Sequence, residues 1–287
     1  MNLKEKIGSI KLKIGITFFY LGVAYFGLQT LVSNQHDEFG RMISSSGKQE
    51  VGCPTQQKDT GVLLVIGQSN SANYAEKKYT TEFPDKVVNY FNGHCYVASS
   101  PLLGASHNQG EFITALADKL ILNSTFQNVV VISSGVGGSP ISRWEKNGDL
   151  NKILLGIITQ FSSLYKVTDI IWHQGEADFL LGTSKQEYYR AFHSLVDSLG
   201  GDGVRANIFI AIATKCGVNR SWKEVNPVAL GQAALVDDKH IFLGANTDAL
   251  LEKQDRQFGD DCHFSESGQE KTASAFADSI KTVHQRK

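Results

Sequence analysis

Four short strings hold residue types that can carry acyl transfer: Gly67-Gln68-Ser69-Asn70, Ser134-Gly135-Val136-Gly137-Gly138-Ser139, His173-Gln174-Gly175-Glu176-Ala177-Asp178 and Asp260-Asp261-Cys262-His263. A serine hydroxyl is a weak nucleophile until an imidazole takes its proton, and the imidazole needs an acceptor on its other nitrogen to fix its tautomer. Asp260 and His263, three residues apart, supply both. Asp261 competes for that role, but two residues from the histidine it points elsewhere on a turn or helix, which favours Asp260. Negative charge on the acyl oxygen then needs donors. The Ser69 N–H, a Gly137 N–H and the Gln174 side-chain amide are three candidates, each typically contributing ~3 kcal/mol of barrier reduction. Each residue also has a plainer use. Ser69 can cap a helix, His263 can be structural, Gly137-Gly138 can be a turn, and Gln174 can simply close a strand.

The elements that would position these strings alternate. Residues 62–66 (VLLVI), 87–91, 129–132 (VVVI), 169–172 and 208–212 (IFIAI) are short β-branched runs of the kind buried on both faces of a parallel sheet. Helix-period segments cover 111–122, 149–165, 185–199, 226–238 and 266–284. This alternation argues a three-layer α/β/α sandwich with right-handed crossovers. In such sheets chemistry collects beyond the carboxyl ends of the strands, where the strings after the first, third and fourth strands lie.

The whole chain has 287 residues, 41% of them hydrophobic and 20% charged, with a formal charge of −1. Those values exclude a disordered chain and a coiled coil, and they leave no basic footprint for nucleic acid. The N-terminus departs from this average. Residues 14–32 contain no charge and follow Lys4, Lys6, Lys11 and Lys13. At about 1.5 Å per residue they span roughly 28 Å as a helix, enough to cross a lipid bilayer once. The expected layout is a basic cytoplasmic N-terminus (1–13), a transmembrane signal anchor (14–32), a polar tether (33–60) and a catalytic domain (61–287) outside the cytosol. A cleaved signal peptide giving a secreted protein is the alternative.

Taken in order, the four strings resemble the SGNH-hydrolase superfamily and, within it, the sialate O-acetylesterase-like carbohydrate esterases. Their blocks read GQSN, a GG-small stretch followed by Trp, HQGE-x-D and D-x-x-H, matched here by Gly67 to Asn70, Gly137 to Ser139 with Trp144, His173 to Glu176 with Asp178, and Asp260 with His263. The resemblance covers roughly residues 60 to 285. It implies a flavodoxin-like α/β/α fold with about five parallel strands, and removal of O-acetyl groups from sugars without metal or organic cofactor. Ser69 would be the nucleophile, His263 the base and then the acid, and Asp260 its orienting partner. Ser69, Gly137 and Gln174 would form the oxyanion hole. Asn70-Ser71-Ala72 departs from the Met and Gly often found after the family's serine, and Cys262 is unusual in the last block.

Gln68, Glu176 and Arg143 are candidate sugar contacts, although buttressing the neighbouring loops through hydrogen bonds is the favoured role for Glu176. Trp144 suits either a sugar platform or a packing role beneath the second loop. His94, His107 and His173 fit no metal-ligand spacing. Four cysteines allow three pairings. Cys216 with Cys262 is favoured because both lie on loops at the inferred rim, leaving Cys53 for Cys95. Two other activities remain open: a lipase or thioesterase with the same triad, and a non-catalytic glycan-binding module.

Overall fold

A computed structural model describes residues 35–217 and 226–286. The apolar run after Thr60 forms a strand buried along its whole length, and alternate side chains serve opposite faces, as the pleat requires. Val62, Leu64 and Ile66 pack into one core with Leu154, Phe161, Phe192 and Leu195, whereas Leu63 and Val65 pack into another with Leu116, Leu120, Phe276 and Ile280. The sheet is thus covered on both sides, and the three layers expected from the alternating pattern are present.

The strands are β1 (Glu50–Val51), β2 (Thr60–Gly67), β3 (Val87–Phe91), β4 (His94–Val97), β5 (Asn128–Ser133), β6 (Asp169–His173), β7 (Asn207–Ile212) and β8 (Ile241–Asn246). They form one sheet in the order β1-β4-β3-β5-β2-β6-β7-β8. From β3 to β8 every pairing is parallel, and β4 and β1 add an antiparallel edge. Among the described residues the sheet therefore has eight strands rather than about five, and it is mixed. The extra strands escape a search for apolar runs because β1 and β4 are very short and β8 carries an exposed Leu243 beside Gly244. That glycine is required by packing, since a Cβ there would lie 2.1 Å from the Phe276 ring.

The α-helices are α1 (Ile113–Leu122), α2 (Asp149–Phe161), α3 (Glu176–Leu181), α4 (Lys185–Gly201), α5 (Pro227–Leu235), α6 (Thr247–Leu250) and α7 (Glu266–Gln285). Helices α1 and α7 cover one face, and α2, α4 and α5 the other. A Ser184 capping box starts α4 and the Ser265 side chain caps α7.

The polar stretch expected to be a tether over 33–60 is instead packed onto the domain over its described part. Met42 is buried, and its N–H donates to Ala105 O at 2.8 Å. Arg41 bridges Ser106, β1 pairs with β4, and Cys53 is bonded to Cys95. Backbone hydrogen bonds and one covalent link hold a segment whose apolar content is too low to signal folding. The 14–32 segment, expected to span a membrane, lies outside the described residues. Among those described, no helix is long and apolar enough to cross one.

Candidate active site

Strands β5, β2 and β6 are neighbours in the sheet, so the strings that follow them meet at one rim. Gly67 ends β2 at φ +128°, and a Cβ there would fall 2.2 Å from the His173 carbonyl oxygen. Only glycine allows β2 and β6 to end this close together. The chain then turns through a single 3-10 turn, Ser69–Ser71. Ser69 opens this turn, which leaves its N–H without a carbonyl partner inside it. Its side chain is 4% exposed as a residue and makes no hydrogen bond among the described residues.

The last string forms a loop before α7. His263 Nδ1–H donates to Asp260 Oδ2 at 2.5 Å, while Asp260 Oδ1 accepts the N–H groups of Cys262 at 2.7 Å and His263 at 2.9 Å. Partial burial works against ionisation of Asp260. The bonds from the Cys262 N–H, the His263 ring and the His263 N–H outweigh it and hold the carboxyl below its ordinary range. Asp261 sits at φ +51° and faces Lys253 at 3.5 Å instead. A disulfide joins Cys262 to Cys216, alongside the Cys53–Cys95 bridge.

Asn70 ties the two parts together. Its amide donates to Glu176 Oε1 at 2.9 Å and to the Cys262 carbonyl at 3.3 Å, a contact across 192 positions of sequence. The residue after Ser69 is thereby clasped to the residue before His263. Arg256, itself buried, donates to the same Cys262 carbonyl at 2.7 Å and lies 5.0 Å over the Phe264 ring.

Two expected oxyanion donors are engaged elsewhere. The Gln174 amide is 0% exposed and donates to Ser139 O at 3.1 Å, Gln68 Oε1 at 3.3 Å and Asp178 Oδ2 at 2.5 Å. Gly137 N–H donates to Ser106 Oγ at 2.8 Å. Gly138, the next residue, is exposed at φ +65°, and its N–H has no acceptor among the described residues.

The candidate sugar contacts also take other roles. Gln68 is buried, and its Oε1 accepts the Gly175 and Ala177 N–H groups. Among the described residues, the Arg143 guanidinium gives its hydrogen bonds to Asp149. Trp144 is buried against Trp172 and donates to Ser139 Oγ, beneath the second loop. Glu176 is 1% exposed, and its Oε1 accepts from Asn70. Asn70, Arg256, Tyr74 and His107 also contact these loops or one another, and none of them is among the site residues that the sequence suggests. Of these, only Asn70 carried a signal, as the last member of the first string.

Burial pushes the Glu176 carboxyl up to about 7, against the pull of the Asn70 bond, its own N–H and Arg256. Burial and then Arg256 push His173 down to about 3. Because the folded Glu176 keeps its proton where an unfolded one, near 4.5, has lost it, stability falls as pH rises between those values and stays low above about 7. Glu176→Gln retains an oxygen for Asn70 and cannot ionise. The loss of stability on going from pH 5 to pH 8 should shrink by on the order of 3 kcal/mol in the variant. Thermal melts at both pH values check this, and identical slopes for parent and variant would contradict it.

The chain matches the family described as carbohydrate esterase, sialic acid-specific acetylesterase, over residues 59–282. A search of curated proteins finds no match. Among solved structures, a protein from Arabidopsis thaliana is similar at TM-score 0.57 and 15% identity, covering 79% of this chain and 98% of its own. NanS is similar at TM-score 0.54, with the same identity and coverage. A carbohydrate acetylesterase from Xanthomonas citri follows at TM-score 0.52 and 14% identity, covering 79% of this chain and 57% of that one. Identities this low speak for the fold alone. The family match spans most of the chain and adds the chemistry: this protein belongs to the sialic acid-specific acetylesterase family of carbohydrate esterases and is a carboxylic ester hydrolase.

Proposed function

We propose that the protein removes O-acetyl groups from a glycan through an acetyl-Ser69 intermediate. The observation that carries this reading is the 2.5 Å hydrogen bond from His263 to Asp260, on the loop that Asn70 clasps to the turn bearing Ser69. His263 Nε2 takes the Ser69 proton as the hydroxyl attacks the acetyl carbonyl, and Asp260 stabilises the imidazolium that forms. The Ser69 N–H and the free Gly138 N–H receive the oxyanion. His263 then returns the proton to the departing sugar oxygen. In the second half it activates water against the acetyl-serine, and acetate leaves.

Both disulfides fit a chain that matures outside the cytosol. We place the catalytic domain there, held to the bilayer by residues 14–32 with residues 1–13 left in the cytoplasm. Acetate release from a panel of O-acetylated glycans that includes O-acetylated sialic acids tests the substrate class. A series of p-nitrophenyl esters should show acetate far ahead of octanoate, by about 100-fold in kcat/KM. Faster turnover of the long chains would favour the lipase reading, and glycan binding with no ester turnover would favour a binding module.

A further inference from the structure

Tyr74, like Asn70, touches more than one of the loops that form the site. The Tyr74 ring stacks on the His263 imidazole, with centroids 5.0 Å apart and planes 22° apart, and also on His107 at 4.3 Å and 27°. At the other end of the ring, a Cβ placed on Gly137 would lie 2.2 Å from the Tyr74 hydroxyl oxygen, so the hydroxyl abuts the backbone of the second loop. The local backbone is pinned to the histidine loop. Gln257 Nε2 donates to Tyr74 O at 2.6 Å, and Glu76 N–H donates to the carbonyl of Phe264, the residue after His263, at 3.0 Å.

The Asp260 bond fixes where Nδ1 points but leaves the tilt of the ring about that bond soft, because the terminal torsion of histidine is broad. A second constraint is needed to aim Nε2. A flat ring lying nearly parallel to the imidazole provides it, and aromatic faces stacked at this separation attract. Burial holds the pKa of His107, on which the Tyr74 ring also stacks, below the ordinary histidine value. Building on the acetyl-serine reading above, we propose that Tyr74 is a positioning residue whose ring face sets the plane of the His263 imidazole and so aims Nε2 at Ser69.

The test compares Tyr74→Leu, Tyr74→Phe and Ser69→Ala in the full chain with an aryl acetate. Small misplacements of a catalytic group cost about 10- to 100-fold. Tyr74→Leu should therefore lose about that much in kcat, with KM within about threefold of the parent, while Tyr74→Phe, which keeps the flat face, stays within about threefold in both. Tyr74→Met replaces the leucine variant if that one does not fold. Parental kcat in the leucine or methionine variant overturns the proposal. So does a phenylalanine variant as slow as the leucine one, since the hydroxyl rather than the face would then matter. An active Ser69→Ala overturns the acetyl-serine mechanism and this proposal with it; an inactive Ser69→Ala beside a fully active Tyr74→Leu overturns this proposal alone.

Discussion

Ser69→Ala should leave a folded protein that turns over an aryl acetate on the order of 10⁴-fold or more slowly than the parent, because in the mechanism proposed above it removes one member of a triad that works as a unit. The substitution is mild structurally. The Ser69 hydroxyl makes no hydrogen bond among the described residues, so no buried partner is orphaned, and stability should move by less than about 1 kcal/mol. The turn itself is held by Gln68 and Asn70 rather than by Ser69, since Gln68 braces the start of α3 and Asn70 holds Glu176 and Cys262. Initial rates and a thermal melt on the same preparation separate chemistry from folding. Near-parental turnover with an unchanged melt would remove Ser69 from the mechanism.

Asp260→Asn is the second large effect, and its direction follows from hydrogen-bond polarity. Asp260 Oδ1 accepts two backbone N–H groups and Oδ2 accepts the His263 ring. An asparagine keeps its oxygen toward the backbone donors and turns its NH₂ toward Nδ1. That nitrogen must then accept, the ring proton moves to Nε2, and the base presents a hydrogen to the serine instead of a lone pair. Loss of about 10³- to 10⁴-fold in kcat at neutral pH is expected. Asp261→Asn serves as the comparison, because Asp261 faces Lys253 rather than His263, and it should stay within a few-fold of the parent. Equal losses in the two variants would show that the loop's charge matters rather than the His263 tautomer.

The parallel core was legible in the sequence because a strand buried on both faces must be continuously apolar, and each of the five runs anticipated there is a strand in the sheet. Edge strands lack that constraint. Glu50–Val51 and His94–Val97 are only two and four residues long, and they pair because β3 offers an unfilled edge and Cys53 is bonded to Cys95. Helix α3 was hidden for another reason, since its first residues lie inside the third string and read as motif rather than as helix.

The site shows the same division. Asp260 beside His263 is a local relation, three residues apart on a turn, and spacing reveals it. Whether a donor is free is not local. Gln174 looks available until Asp178 and the Ser139 carbonyl are found against its amide, and Gly137 until Ser106, 31 positions earlier, is found against its N–H. Tyr74 and Arg256 belong to no string at all. Their place follows from contacts to residues nearly two hundred positions away or from a buried loop carbonyl.

The strap that enters the domain before β2 bears on how the chain can be shortened. Met42 N–H binds Ala105 O, Gly104 N–H binds Met42 O, and His107 N–H binds Gly40 O. These three rungs end beside Ser106 and His107, which in turn touch Gly137 and Tyr74. A recombinant fragment beginning at Thr60 would shed the whole ladder and leave Cys95 a lone thiol. One beginning at Gln35 would keep all three rungs and the Cys53–Cys95 bridge.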